Sequence, residues 1–318
     1  MHDVLDAIEA FFAHLSSVEL VPLLIAVGCH LVKLACTSRA WRNVIAAAYP
    51  DERVPWPPIL GAYVVGVGVN AVVPARAGDV MRLYLAHRAV SGSTYTTLAS
   101  TYVVMAITDT ALAVVLFAYA LTLGVLPGIS LLPDLRSFDF AWFLDHPRGA
   151  SGILFLLAVA GLALAIWLRP RLDDFHARFS RAFSILREPS RYLRSVVAWQ
   201  LADWALRLVT IWFFLDAFGV EQSVQNVLLV QVTHSLATLV PISPGGIGTE
   251  QAFIVFAFQG KVSESSLLAF SVGMRITLTA VNATAGAVAL LLSLRTVRYK
   301  RVLEDAAAAG AAQPTSNE

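Results

Sequence analysis

The sequence is poor in charged residues. Charged residues make up 14% of its 318 residues, against about 25% in soluble domains, whereas hydrophobic residues make up 57%. Because a soluble fold must cover its surface with polar groups, this composition excludes an ordinary water-soluble protein and predicts an integral membrane protein. The net charge of +1 gives no indication of nucleic-acid binding, and we expect none.

Cysteine is also scarce. The chain contains two cysteines, Cys29 and Cys36, and no cluster of histidines at metal-ligand spacing. On a helix their separation corresponds to about 10.5 Å, which is too far for a disulfide. We therefore expect no disulfide, no metal site and no cofactor. The first 19 residues lack Lys and Arg, so they do not resemble a signal peptide.

Seven apolar segments qualify as membrane-embedded helices, of which five are continuous and two are interrupted by proline and glycine. The continuous segments are residues 18–36, 94–126, 151–168, 195–217 and 266–294. The interrupted segments are residues 57–74 followed by 80–88, and residues 224–241 followed by 251–259. Charged residues stand at both interruptions.

The distribution of basic residues predicts the side of the membrane on which each loop lies. Residues 33–56, 169–194 and 295–301 are rich in basic residues, so we expect these loops to be cytoplasmic. Residues 127–149 carry two arginines beside three aspartates and are expected outside. The acidic N-terminus is also expected outside and the C-terminus in the cytoplasm, with the chain in the cell membrane.

With these loop positions, each interrupted segment enters and leaves the membrane on one side. Residues 57–93 begin and end inside, and residues 224–260 begin and end outside, so each is predicted to form a re-entrant hairpin. The predicted fold class is an all-α polytopic membrane protein, with residues 1–318 in a single membrane domain. It has two inverted units of span, re-entrant hairpin and span, at residues 18–126 and 195–294, and a linking span at residues 151–168.

Two further segments have a distinctive composition. Residues 169–194 form a basic cytoplasmic loop with interspersed aromatic residues. Two interpretations of this loop stay open: a helix lying on the anionic inner leaflet, and a solvated positive loop. Residues 306–318 are rich in alanine and then polar, which predicts a disordered tail. His30 and His234 lie within apolar segments; each has two interpretations, a hydrogen-bonded packing residue, which this position favours, and a proton relay.

The two interruptions are the expected substrate site. Irregular backbone inside a membrane is tolerated where protein or a watery cavity satisfies it, and paired interruptions in two halves mark a binding site. The glycine-rich backbone near residues 243–250 and the helix that follows it favour an anion. Arg76 and Arg82 are suited to phosphate oxygens, which arginine binds bidentately.

Carboxylates stand beside both interruptions. Asp79 and Glu250 each have two open interpretations: a carrier of a proton or coupling cation, and an ion-pair partner that holds the hairpin in shape. The third acid, Asp109, lies within a span, where a charge is costly and usually functional.

Intramembrane basic residues accompany these acids. Arg275 occupies in the second unit the position of Asp109 in the first, which predicts an Asp109–Arg275 pair between the units. Asp203 and Arg207 are four residues apart on one helix, and this spacing favours a local ion pair.

Three stretches resemble a known family. They are residues 39–42 (Arg-Ala-Trp-Arg), residues 70–82 with the run Val-Val-Pro-Ala-Arg-Ala-Gly-Asp, and residues 241–250 with the run Pro-Gly-Gly-Ile-Gly-Thr-Glu. They are similar to the lysylphosphatidylglycerol synthase transmembrane-region family of flippase-like membrane proteins, over nearly the whole chain. The resemblance places substrate-binding motif positions at Arg76, Gly78, Asp79, Arg82, Pro244, Gly245, Gly246, Gly248 and Glu250, and intramembrane charges at Asp109 and Arg275.

This chain departs from the family pattern at two places. The family usually has Glu at the position of Asp79, and it often has an Arg shortly before the position of Asp109, where this chain has the run Ala-Ile-Thr at residues 106–108. The resemblance implies movement of a phospholipid or polyprenyl-linked lipid across the bilayer. The sequence as given shows no aminoacyl-transferase domain, so we expect the membrane part alone and no enzyme activity.

The first functional hypothesis is therefore a lipid translocase, passive or ion-coupled, since no ATP-binding G-x-x-x-x-G-K-[ST] loop is present. The alternatives are a membrane enzyme or assembly subunit acting on lipid-phosphate, and a transporter of a small anionic solute. The expected partners are membrane lipids that are anionic or carry a lipid-linked phosphate. A separate enzyme that supplies the lipid, and a second copy of the chain, stay open as partners.

Overall fold

The fold is helical throughout the part of the chain that can be described. A computed structural model describes residues 18–73, 76–122, 181–239 and 264–311, together with Ile254 and Phe258. Within these ranges the secondary structure is helical and contains no strand, which confirms the all-α class. Four helices are long and apolar enough to cross a membrane, so the chain is a membrane protein.

The first part of the fold contains four helices. They are α1 (Leu20–Ala48), α2 (Trp56–Val72), α3 (Ala77–Ala89) and α4 (Tyr95–Thr122). Prolines stand in the first turn of α2, where a missing backbone N–H costs nothing. α2 and α3 pack against each other as a helical hairpin, and α2 is shorter than the helices of spanning length.

The two ends of this hairpin lie beside each other. The loop that enters it contains Tyr49, whose hydroxyl accepts a hydrogen bond from the backbone N–H of Thr94, just after the hairpin, at 2.9 Å. The chain therefore returns to the end of the bundle from which it left.

The second part of the fold contains three helices. A 3₁₀ turn at Phe183–Arg187 precedes α5 (Pro189–Ala217), which passes through a π-helical turn at Leu193–Val197. Then follow α6 (Val224–Leu239) and α7 (Glu264–Ala311). With 48 residues, α7 is about 72 Å long and exceeds the hydrocarbon thickness of about 30 Å, so part of it extends beyond the bilayer.

The candidate spans agree with four of the five predicted ones. They are Leu20–Ala48, Tyr95–Ala120, Pro189–Ala217 and Ser266–Ser293. The first is longer than predicted, because α1 continues through Ala48 and takes in residues 33–48 of the loop predicted at residues 33–56. α7 likewise includes residues 306–311 of the segment predicted as a tail.

Several predictions concern residues that lie outside the described ranges. These are the N-terminal residues 1–17, the linking span at residues 151–168, most of the basic loop and the interruption of the second hairpin. The inverted re-entrant arrangement, the orientation in the membrane and the disorder of the tail stay predictions.

Two helix pairs form the centre of the bundle. α1 packs along α5, and α2 packs along α7. The second pair is in backbone contact, because a Cβ atom at Gly68 would lie 2.6 Å from both the Asn282 carbonyl oxygen and the Gly286 Cα. Small residues permit such close approach in membrane helices. α6 also contacts α4.

The buried apolar side chains form two clusters at opposite ends of the long helices. The first cluster includes Trp41, Ile45 and Leu98, and joins α1–α4 to the start of α5. The second includes Phe214 and Phe270, and joins α5, α6 and α7 to the other end of α1. Large apolar side chains elsewhere are exposed, as lipid contact requires; examples are Val21, Val115 and Leu291.

Candidate functional site

Asp79 holds the turn of the first hairpin. Its carboxylate pairs with Arg76 and Arg82, each at 3.3 Å, and accepts a hydrogen bond from Asn70 Nδ2 at 3.0 Å. The Asn70 side-chain oxygen accepts a hydrogen bond from the Gly78 backbone N–H at 2.8 Å. This geometry favours the ion-pair interpretation of Asp79, and its role as a carrier stays a prediction.

Glycines allow the two helices of the hairpin to touch. A Cβ atom at Gly78 would clash with the Gly66 carbonyl oxygen, and a Cβ atom at Gly66 would lie 2.6 Å from Arg82 Nε. Gly78, which the family motif makes a substrate-binding position, therefore has a packing role in the structure.

Arg82 is buried between two aromatic rings. Its guanidinium carbon lies 4.8 Å from the Tyr63 ring centre and 4.6 Å from the Tyr102 ring centre, and the residue is 6% exposed. The Asp79 carboxylate and the faces of the two rings stabilise the charged guanidinium. Among the described residues, neither Arg82 Nε nor the Tyr102 hydroxyl has a hydrogen-bond partner.

Arg76 is the accessible arginine of the motif. Its side chain is 88% exposed, and its backbone has a left-handed φ of 57°. Such a conformation is uncommon for a residue with a side chain and tends to occur at functional sites. Of the two arginines expected to bind phosphate, Arg76 has the exposed guanidinium, whereas Arg82 is enclosed by Asp79 and the two rings.

A second group of charges lies where α1, α4 and α5 meet. Arg207 Nη2 is 2.9 Å from Asp203 Oδ2 and 3.6 Å from Asp109 Oδ1. The Trp204 indole N–H donates to Asp109 Oδ1 at 2.9 Å, and the Thr37 hydroxyl donates to Asp203. The predicted local pair of Asp203 and Arg207 is confirmed, and it belongs to a larger cluster.

The structure corrects the predicted partner of Asp109. Among the described side chains, Asp109 pairs with Arg207 and Trp204, and no ion pair joins it to Arg275. The reason is helix packing: α5 lies against α4, whereas α7, which carries Arg275, packs along α2. Arg275 has interactions of its own.

The two groups of charges are connected through α1 and α2. Thr37 on α1 donates to Asp203 and also lies against the Tyr63 hydroxyl on α2. The Arg82 guanidinium lies over the ring of the same tyrosine, so Tyr63 contacts both groups. The Lys33 ammonium lies near the charges of Arg207, Asp203 and Asp109, and the Lys33 carbonyl oxygen accepts a hydrogen bond from the Thr37 hydroxyl at 3.1 Å. We name this connected set the polar layer: Lys33, Thr37, Tyr63, Asp79, Arg82, Asp109, Asp203 and Arg207.

The polar layer lies between the two apolar clusters. On α1, Lys33 and Thr37 lie between Ala26 of one cluster and Ala40 of the other. On α5, the segment from Asp203 to Arg207 lies between Val196 and Ile211 in the same way. The charges on α1 and α5 are thus placed in the middle of these long helices rather than at their ends.

A hydrogen bond at the same depth joins α1 to α7. His30 Nε2 lies 2.8 Å from the Asn282 side-chain oxygen, and His30 is 5% exposed. This confirms the prediction that His30 is a hydrogen-bonded packing residue.

Sequence analysis missed part of the polar layer. It assigned Lys33 to a cytoplasmic loop, although the lysine lies within one continuous helix, α1. Thr37 and Tyr63 are uncharged and stand in ordinary apolar surroundings, so no sequence signal marked them. The motif residues Pro244, Gly245, Gly246, Gly248 and Glu250 lie outside the described residues and stay predictions.

The described side chains include no group of three or more His, Cys, Asp or Glu placed to hold a metal ion. Cys29 and Cys36 are free thiols, in agreement with the prediction that they form no disulfide.

Comparison with known proteins identifies the family. The model of the family described as "Lysylphosphatidylglycerol synthase TM region" matches residues 5–286. The chain belongs to this family. The matched residues contain the whole polar layer and both interrupted segments, so this site lies in the transmembrane region of a lysylphosphatidylglycerol synthase family member.

The chain is also similar to a curated protein named glycosyltransferase AglD, from Haloferax volcanii. It is 28% identical over 277 residues, which cover 75% of this chain and 44% of the relative. The chain therefore spans less than half the length of that relative. Together with the family, this similarity indicates a membrane protein connected with lipids.

Proposed function

We propose that this protein is a lipid translocase, which moves a lipid with an anionic headgroup between the two leaflets. The observation that carries the proposal is the polar layer between two apolar clusters. A charged side chain inside a bilayer is costly and is usually retained for function. A lipid headgroup that crosses the membrane needs polar partners at this depth, while its acyl chains remain in the bilayer.

Two arginines of the polar layer each have a buried Nε donor that is unused. Arg82 Nε and Arg207 Nε are buried without a hydrogen-bond partner among the described residues. A buried donor left unpaired costs about 1–3 kcal/mol. A phosphate oxygen suits such a donor because charged hydrogen bonds are stronger than neutral ones.

The charge balance of the second group favours ion coupling. Lys33 and Arg207 carry two positive charges, and Asp109 and Asp203 carry two negative charges, so the group is neutral without a ligand. An anionic headgroup that enters a neutral group adds an unbalanced charge. We therefore propose that a proton or another cation accompanies the headgroup.

The helix contacts support an inverted pair of hairpins. α2, the first helix of the first hairpin, packs along α7, and α6, in the corresponding position of the second unit, contacts α4. The first hairpin also returns to the end of the bundle where it began. Inverted repeats of this kind bind substrate near the bilayer midplane and alternate between two openings.

A membrane enzyme or assembly subunit acting on lipid-phosphate is the second candidate. It is favoured by the name of the relative, a glycosyltransferase that this chain matches over 44% of that protein's length. Turnover of a lipid-phosphate by the purified protein, with no exchange between leaflets, would support it.

Leaflet exchange in reconstituted vesicles tests the translocase. Fluorescent phosphatidylglycerol is incorporated into both leaflets, and an impermeant quencher reports how quickly inner-leaflet lipid becomes accessible. We expect exchange with the wild type and a loss of at least tenfold with Arg207→Gln and with Asp203→Asn, because each removes a charge of the ion-paired cluster.

The matched control is Arg53→Gln, since Arg53 is exposed outside the helices. It should exchange lipid like the wild type. Wild-type vesicles that exchange no faster than empty vesicles, although the protein elutes as a folded species, would contradict the proposal. Uptake of a water-soluble glycerophosphate with no lipid exchange would instead indicate a solute transporter.

A further inference from the structure

A cavity of about 390 Å³ opens between α1 and the start of α5, at the end of the bundle that holds the first apolar cluster. Three arginines line it: Arg39 on α1, and Arg191 and Arg194 on α5. The arginine-rich loops predict that this end faces the cytoplasm. None of the residues that line the cavity belongs to the polar layer, although Trp199 lies one helical turn from Asp203.

The cavity has an excess of positive charge. Glu188 pairs with Arg191 at 3.5 Å, and both side chains are half exposed. Among the described side chains, Arg39 and Arg194 have no acidic partner, although the Arg39 guanidinium lies 5.4 Å from the Trp56 ring centre. Three guanidinium groups with one acid between them suit an anion with several oxygens, such as a phosphate.

The walls of the cavity are tied together. Asn43 Nδ2 on α1 donates to the Ser195 carbonyl oxygen on α5 at 2.6 Å. Arg194 and Ser195 belong to the π-helical turn at Leu193–Val197. π-helical turns are rare and occur frequently at functional sites. This turn brings Arg194 into the cavity that Arg39 lines from the other helix.

An exposed apolar surface adjoins the arginines. Trp199 lines the cavity and is 38% exposed, and Leu193 and Leu201 on the same helix are 56% and 51% exposed. Tryptophan is typical of the membrane–water interface, where its ring meets both lipid and water. A free anion needs no apolar surface, whereas a phospholipid needs one for its acyl chains.

We propose that this cavity binds the phosphate of an anionic phospholipid of the cytoplasmic leaflet. Arg39, Arg191 and Arg194 surround the phosphate, and the acyl chains lie along the exposed side chains of α5. The bound lipid is separate from the transported one, so the inference does not depend on translocase activity.

Native mass spectrometry of the full chain in detergent tests the inference. The protein is titrated with dioctanoyl phosphatidylglycerol, dioctanoyl phosphatidylcholine and inorganic phosphate. We expect phosphatidylglycerol to bind at least tenfold more tightly than the other two, because it combines net negative charge with acyl chains. The double variant Arg39→Gln/Arg194→Gln should lose roughly tenfold or more in affinity for phosphatidylglycerol.

Comparisons with further variants and with inorganic phosphate decide the outcome. Arg187→Gln is the matched control, because Arg187 is exposed on the same segment but does not line the cavity, and it should bind like the wild type. Unchanged binding by the double variant would overturn the site, as would loss of binding in Arg207→Gln alone. Inorganic phosphate that binds as tightly as the lipid would show a free-anion site instead. Arg194→Gln alone covers the case in which the double variant fails to fold.

Discussion

Asp79 is the acid on which the first hairpin depends, because two arginines share its carboxylate. Arg82 is almost fully buried, so its charge relies on Asp79 and on the rings of Tyr63 and Tyr102. Cation–π contacts of a desolvated arginine contribute on the order of 2 kcal/mol, which supplements the ion pair without replacing it.

Replacing Asp79 with Asn separates its two interpretations. We expect Asp79→Asn to lower the free energy of unfolding by about 2 kcal/mol, because a buried guanidinium loses its counter-ion. Thermal unfolding in detergent measures this loss. Glu188→Gln, which removes an exposed pair, is the control and should cost less than about 1 kcal/mol. A fully stable Asp79→Asn protein that no longer exchanges lipid would show a carrier instead.

Side-chain contacts were predicted correctly where they depend on the spacing of residues within one helix. The Asp203–Arg207 pair follows from spacing on one helix, and the structure confirms it. The Asp109–Arg275 pair was wrong because equal positions in two repeats do not determine which helices touch. Tyr63 carries no charge, and only the folded structure shows that it connects two charged groups.

The helices themselves follow closely from the sequence. Apolar length predicts five continuous spans, of which the described residues contain four, and the Pro and Gly interruption predicts the break between α2 and α3. α1 is longer than predicted because Trp41 and Ile45, beyond the apolar run, are buried and continue the helix into the first apolar cluster. Charge counting had assigned this part to a loop.

The contact between α2 and α7 was beyond sequence analysis, since no pattern shows which helices pair. It rests on Gly68, whose Cβ would overlap the backbone of α7. We expect Gly68→Leu to lower the free energy of unfolding by at least about 3 kcal/mol, since backbone atoms cannot move aside as side chains do. Unfolding in detergent, followed by circular dichroism, measures the change.

Gly28→Leu is the control for that substitution. A Cβ at Gly28 meets nothing within 4 Å, so a leucine there should be tolerated. If Gly68→Leu proves as stable as Gly28→Leu, the close contact between α2 and α7 does not exist in the membrane.

The topology of the whole molecule can be tested by labelling. Two single-cysteine variants, Glu52→Cys and Ser91→Cys, place a thiol in the loop before and the loop after the first hairpin. Both should react with an impermeant maleimide from the same face of oriented vesicles. Labelling of both loops from one face is expected for a re-entrant hairpin, whose two ends lie together. It is also expected if α2 and α3 each cross the membrane completely. A third cysteine at Val73, next to the turn, distinguishes the two structures.

A re-entrant hairpin places Val73 within the membrane, where we expect it to label at least tenfold more slowly than either loop. Rapid labelling of Val73 from the opposite face would contradict the re-entrant hairpin. The protein for these experiments carries Cys29→Ala and Cys36→Ala, so that only the introduced thiol reacts.

The division of the apolar core has a mechanical consequence. Each end of the bundle is closely packed by its own cluster, whereas the middle is joined by ion pairs, hydrogen bonds and ring contacts. Regions with few buried apolar contacts open at lower free energy than packed cores. Bending stiffness is therefore uneven along the long helices. The two ends, each packed by an apolar cluster, are expected to move as rigid units, and the bundle is expected to bend most easily at the polar layer between them.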